Sequence, residues 1–126
     1  MAYAYIGEQK VSPMIVRADY DIVTVSGTSA TISLTNNTIY NAEILTSLTI
    51  NAPYPVPTDF IAQVNFDSGS TATALSASNT IEWFGDNVSE TVGFVPRANC
   101  SYSIMFYCSG SGLRGVIQGS TLVQGN

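Results

Sequence analysis

In "DFIAQVNF", residues 59–66, Phe60, Ala62, Val64 and Phe66 fall on one side of an extended chain and Gln63 and Asn65 on the other, and this period of two recurs along most of the sequence. Successive strand side chains point to opposite faces, so such alternation buries one face and wets the other. β-branched residues dominate the same stretches, which suits a pleated, half-buried surface, and almost nothing carries a helical period. The expected class is all-β.

Strands are expected at "DIVTV", "ATISLT", "TIYNA", "ILTSLTI", "DFIAQVNF", "TIEWF", "TVGFV", "SYSIMFY" and "LRGVIQ", separated by the turn signals "SGTS", "TNN", "APYPVP", "DSGS", "GDN", "PRAN" and "GSG". Within "ILTSLTI", alternation points Ile44, Leu48 and Ile50 together and Ser47 and Thr49 away. Short turns between half-apolar strands predict an antiparallel β-sandwich or jelly roll with a single core. At 126 residues the chain suits one domain. We place an N-terminal arm or edge segment at residues 1–20, the sandwich at 21–119 and a short tail at 120–126. No convincing internal repeat is visible.

Two strands break the pattern. "SYSIMFY" sets Tyr102, Ile104 and Phe106 on one face but Met105 and Tyr107 on the other, and "IEWFG" sets Ile81 and Trp83 against Phe84. A strand apolar on both faces in a two-layer domain implies cover from another chain, so Phe84, Met105 and Tyr107 are candidate subunit contacts. The first twenty residues, with three tyrosines and Pro13 in no clear period, are read as an arm that docks on another subunit or as a first edge strand.

Composition narrows the function. Charged residues make up 10% of the chain against 45% hydrophobic, and Ser, Thr, Asn and Gln supply the polarity. The net charge is −5 and the four cations, Lys10, Arg17, Arg97 and Arg114, are dispersed, which argues against nucleic acid as a partner. No apolar run approaches the roughly 18 residues of a membrane span, and the opening "MAYAYIGEQK" has neither the basic nor the apolar region of a signal peptide. Cys100 and Cys108 flank one strand, which would hold their Cα atoms about 25 Å apart, so free thiols are expected. The N-x-S/T triplets at Asn36, Asn87 and Asn99 are read as chance products of an Asn/Ser/Thr-rich chain.

Chemistry is sparse. The sequence has no histidine, which removes histidine-based triads and most zinc sites. Glu82, Asp86 and Glu90 are the carboxylates a hydrolase would need, yet Glu82 alternates with Ile81 and Trp83 in a strand and Gly85-Asp86-Asn87 has turn chemistry. Asp59, Asp67 and Asp86 lie in no calcium-loop pattern, and no phosphate-binding glycine motif occurs. We therefore expect no enzyme activity, no cofactor and no metal. Tyr40, Tyr54, Asp86 and Asn87 have the chemistry of a glycan contact, whereas Trp83, in phase with Ile81, is expected in the core with its N–H bonded to a backbone oxygen.

In order, "NNTIYNAEILTSLTI", "VNFDSGSTATAL", "IEWFGDNV", "GFVPRANCSYSIMFY" and "GLRGVIQG" resemble a domain that recurs in virion proteins of phages and prophages from gut Firmicutes, over roughly Asn36 to Gly119. That family carries an Asn-Asn-Thr-x-Tyr opening, an F-x-S-G-x-T-A-T turn, a W-x-G-D turn, an F-V-P-x-A-N-x-x-Y segment and a closing G-V-x-x-G strand. It often ends head-fibre, tail or minor structural proteins. Phe84 departs from it, standing where the pattern has a small or polar residue. The resemblance implies a non-enzymatic virion protein, an oligomeric head-fibre or capsid-decoration component, with a carbohydrate- or receptor-binding fibre module as the alternative. Its expected partners are other virion proteins, further copies of itself, a trimer favoured, and a host-surface glycan. Assembly in the host cytoplasm and release by lysis would explain free thiols without a secretion signal.

Overall fold

The computed structural model describes residues 5–6, 9–10, 20–110 and 112–121. All regular structure among them is β. The short pair β1 (Tyr5–Ile6) and β2 (Gln9–Lys10) precedes β3 (Asp21–Val25), β4 (Ser29–Ser33), β5 (Thr38–Leu45), β6 (Ser47–Asn51), β7 (Ile61–Ser68) and β8 (Ala74–Ala77). The second half holds β9 (Ile81–Gly85), β10 (Val88–Ser89), β11 (Gly93–Phe94), β12 (Cys100–Ser109) and β13 (Gly112–Thr121).

Six strands form one sheet in the order β3-β5-β7-β12-β13-β9, and three form a second in the order β4-β6-β8. The expected antiparallel sandwich is corrected here: β3, β5 and β7 run parallel, as do β4, β6 and β8, and β9 joins β13 in parallel. Antiparallel pairing in the large sheet is confined to β7–β12 and β12–β13. From β3 to β8 the chain winds as three turns of a flattened coil, alternating between the sheets. It thereby repeats in space without repeating in sequence. The last part then folds back as the β12–β13 hairpin and extends the large sheet.

The corners follow local chemistry. Gly27, with φ of +88°, begins the passage from β3 to β4. Between β5 and β6 the chain bends at Thr46, whose hydroxyl donates to the Thr28 carbonyl at 3.0 Å. This corner splits the expected strand "ILTSLTI": Ile44 ends up exposed on β5, while Leu48 and Ile50 point inward from β6. Between β7 and β8 the buried Ser68 and Thr73 brace the turn, with the Thr73 hydroxyl donating to the Leu45 carbonyl at 2.6 Å and the Thr73 amide to Ser68 Oγ at 2.7 Å. Asn99, in the "PRAN" turn, donates its amide to the Gly69 carbonyl at 2.8 Å.

The core lies between the sheets. Phe60, Ala62, Val64 and Phe66 enter it from the β7 segment as alternation predicts, with Tyr102, Ile104 and Phe106 from β12 and Leu48 and Ile50 from β6. Each buried Val, Leu, Ile or Phe among them contributes about 1.5–3 kcal/mol by leaving water. Cys100 and Cys108 are free and half-buried at the two ends of β12. β13 continues through Thr121, two residues into the expected tail. Whether residues 1–20 form a docking arm lies outside the described residues, apart from the β1–β2 pair and Tyr20.

Candidate functional site

"IEWFGDNVSE" is a bend. β9 carries Ile81 and Trp83 inward, Glu82 and Phe84 outward, and ends at Gly85 with φ of +108°. A Cβ at Gly85 would collide with the Ile117 carbonyl, so glycine is required there. Asp86 follows in the turn, donating its amide to that same carbonyl at 3.1 Å and accepting the Gly119 amide on Oδ2 at 2.9 Å. Asn87, at φ of +60°, accepts the Tyr102 hydroxyl proton on Oδ1 at 2.5 Å. The Arg97 amide donates back to the Tyr102 hydroxyl at 2.8 Å. Trp83 packs against Phe94 and Phe106, with ring centroids at 5.6 and 5.9 Å.

Residues in the turns around this bend likewise brace corners. Ser68 and Thr73 of "FDSGSTAT", Trp83, Gly85 and Asp86 of "WFGD", and Phe94, Asn99 and Tyr102 of "FVPRANCSY" all serve packing or turn bonds. The outward face of the six-stranded sheet, which the three-stranded sheet does not cover, presents side chains to a partner.

That face is organised in rows fixed by register. Asn41 of β5 pairs with Asn65 of β7, Asn65 with Ser103 of β12, and Ser103 with Gln118 of β13, so four neutral polar side chains line up across four strands. The amides are mutually bonded. Asn65 Nδ2 donates to Asn41 Oδ1 at 2.8 Å, while Gln63 Nε2 donates to Asn65 Oδ1 at 2.9 Å and to Ser103 Oγ at 3.2 Å. The Ser103 hydroxyl also donates to Asn65 Oδ1. Gln63 is only 3% exposed, and its buried carbonyl Oε1 has no hydrogen-bond partner among the described residues. Over this row lies a groove of about 550 Å³, with Asp86 at its β13 side and Ile39 as its aliphatic contribution.

The other half of the face is apolar. The register aligns Met105 with Val116 and Val116 with Phe84, and the next row aligns Tyr107 with Arg114 and Arg114 with Glu82. The Arg114 guanidinium lies 4.4 Å from the Phe84 ring centroid and 6.0 Å from that of Tyr107, and its Nη2 is 3.6 Å from Glu82 Oε1. A cation over an exposed ring of this kind is worth about 0.5–1 kcal/mol.

The candidates from sequence are dispersed by this arrangement. Of the subunit-contact residues, Phe84 is 45% exposed and Tyr107 half-buried beside Arg114, whereas Met105, at 5%, is enclosed with Ile39, Tyr20, Ile61 and Val116. Of the glycan residues, Tyr40 is a correction: it lies in the core, its hydroxyl accepting the Thr35 amide at 2.9 Å and donating to the Ser33 carbonyl at 3.2 Å. Tyr54 is 89% exposed on the loop between β6 and β7 and does not line the groove. Asp86 does line it, and Asn87 is engaged by Tyr102. Glu82, Asp86 and Glu90 converge on no common site: Glu82 faces Arg114 and Asp86 holds Gly119. Among the described residues, no three His, Cys, Asp or Glu side chains are grouped as a metal site would need.

Sequence reasoning placed Gln63 and Asn65 on a wet face but did not find their row. The signal was a pair of amides two residues apart on one strand. Their neighbours Asn41 and Ser103 come from 24 and 38 residues away, and only strand pairing brings them together. Comparison of the chain with protein-family models, with curated proteins and with solved structures finds no match.

Proposed function

We propose that this chain is a non-enzymatic structural component of a bacteriophage particle, an oligomeric head-fibre or capsid-decoration protein, with a trimer as its specific form. The observation that carries the oligomeric reading is the exposed Phe84, stacked under Arg114 and continuous with Val116 and Tyr107 on the outward face of β9, β13 and β12. An aromatic and an arginine side by side are the residue types that dominate protein interfaces. The ordered resemblance over Asn36 to Gly119 supports the virion context, and the low charge, the free thiols and the packed all-β body suit a protein assembled in a reducing cell and released with the particle.

Multi-angle light scattering on the purified protein, together with peptide mass spectrometry of purified particles from the phage that encodes it, tests this. A stable trimer and a virion band containing the chain are expected. A monomer at micromolar concentration, with no copies in the particle, overturns it.

A further inference from the structure

We propose that the groove over the Asn41–Asn65–Ser103–Gln118 row binds a neutral, polyhydroxylated ligand, a short glycan. Its volume, about 550 Å³, falls within the range of roughly 300–1,000 Å³ typical of small-ligand sites. Its polar groups are held in place before any ligand arrives, because Asn65 receives Gln63 and Ser103 and donates to Asn41. Several groups are left over. Among the described residues, no hydrogen bond occupies the Asn41 side-chain N–H groups, Gln63 Oε1 is without a partner although the residue is buried, and Asp86 uses only Oδ2, on Gly119. An amide donor and a carboxylate oxygen within one groove match adjacent sugar hydroxyls, each of which donates and accepts.

Other ligand classes fit less well. An anion would meet Asp86, and neither Arg97 nor Arg114 lines the groove. An apolar ligand would find Ile39 amid polar side chains. A peptide adding itself as a strand needs an open sheet edge, but β5, β7, β12 and β13 are each paired on both sides. The site shares no residue with the Phe84–Arg114 contact, so it stands or falls independently of the oligomer.

The test uses the full chain labelled with 15N. It is screened on an array of neutral and acidic oligosaccharides, then titrated with the monosaccharides common in bacterial surface polymers and with an extended Ser/Thr-rich peptide as control. The side-chain amide resonances of Asn41, Gln63 and Asn65 are followed. Neutral sugars are expected to shift these resonances, and Asn41→Ala to weaken the affinity about tenfold with an unchanged backbone spectrum, the loss of one good hydrogen bond. Asp86→Asn, which keeps an oxygen for the Gly119 amide, is expected to weaken it by a smaller factor. The proposal is overturned if no neutral sugar moves these amides, if sugar-induced shifts map instead to the loop around Tyr54, or if the peptide alone perturbs the row. The light-scattering mass of the same sample reports on the oligomer, so failure of one reading is distinguishable from failure of the other.

Discussion

On β12, Tyr102, Ile104 and Phe106 face the three-stranded sheet while Ser103, Met105 and Tyr107 face away, and the two sets are held by different forces. Inward, rings fill every space. A Cβ on Gly115 would sit 2.9 Å from Trp83 and 3.1 Å from Phe106, so the glycine lets both rings lie against the backbone of β13. Outward, side chains meet through hydrogen bonds, one cation over a ring and a small apolar cluster around Ile39 and Met105, beside a groove. Close packing makes the inner face intolerant of volume change, whereas the outer face beyond the Ile39–Met105 cluster is freer to vary its chemistry without losing the fold. Positions that the fold does not need are where recognition can be built.

The sharpest way to break this comparison is to truncate neighbouring residues of the one strand. Phe106→Ala is expected to destabilise the subunit by about 3–5 kcal/mol, since it removes a fully buried ring and the methyl-sized relaxation around Gly115 cannot refill the space. Tyr107→Ala, one residue on but outward, is expected to cost below about 1 kcal/mol. Chemical denaturation midpoints of the two variants check this; equal losses would mean that the outer face is a second core.

Tyr102 sharpens the inner side, because it is a core ring with a polar end. Burial raises its pKa above 10.0, and this outweighs the opposing effect of the Arg97 amide on its hydroxyl. The folded state therefore favours the protonated phenol, so its stabilisation is complete below about pH 10 and is lost as pH rises through the raised value. Tyr102→Phe is expected to lose about 1–2 kcal/mol near neutrality, from the bonds to Asn87 and Arg97, and to flatten the fall in stability as pH rises above about 10. Urea titrations of both proteins at stepped pH measure the two effects together.

The same contrast explains how much was legible in the sequence. Inward and outward positions on β7 and β12 were readable, because alternation depends only on the strand itself. The direction of pairing was not. Thr46 turns the chain from one sheet to the other in a corner as short as a hairpin, and turn residues alone do not distinguish the two. The strand "ALSA" of β8 was missed because its residues are small and mostly exposed, leaving no period to read. The turn at Gly85-Asp86-Asn87 was legible, since φ above zero selects glycine and asparagine. The amide row was half legible: its facing came from Gln63 and Asn65, but its continuity depends on register between distant strands.

Phe84 provides the mildest perturbation and the most specific one. Replacing it with serine removes a ring that is largely in contact with Arg114 and water, so the stability of an isolated subunit is expected to change by less than about 0.5 kcal/mol. In an assembly the ring would be buried at a contact, where loss of an aromatic anchor costs about 2 kcal/mol or more, a thirtyfold weaker association for each contact. Phe84→Ser should therefore leave the unfolding midpoint measured in dilute solution almost unchanged while shifting the mass observed by light scattering towards the monomer. Arg114→Ala should act in the same direction but more weakly, because it removes the stacked cation and leaves the ring. If both variants keep the mass of the unaltered protein, the aromatic row is ordinary exposed surface and the contact between copies lies elsewhere on the molecule.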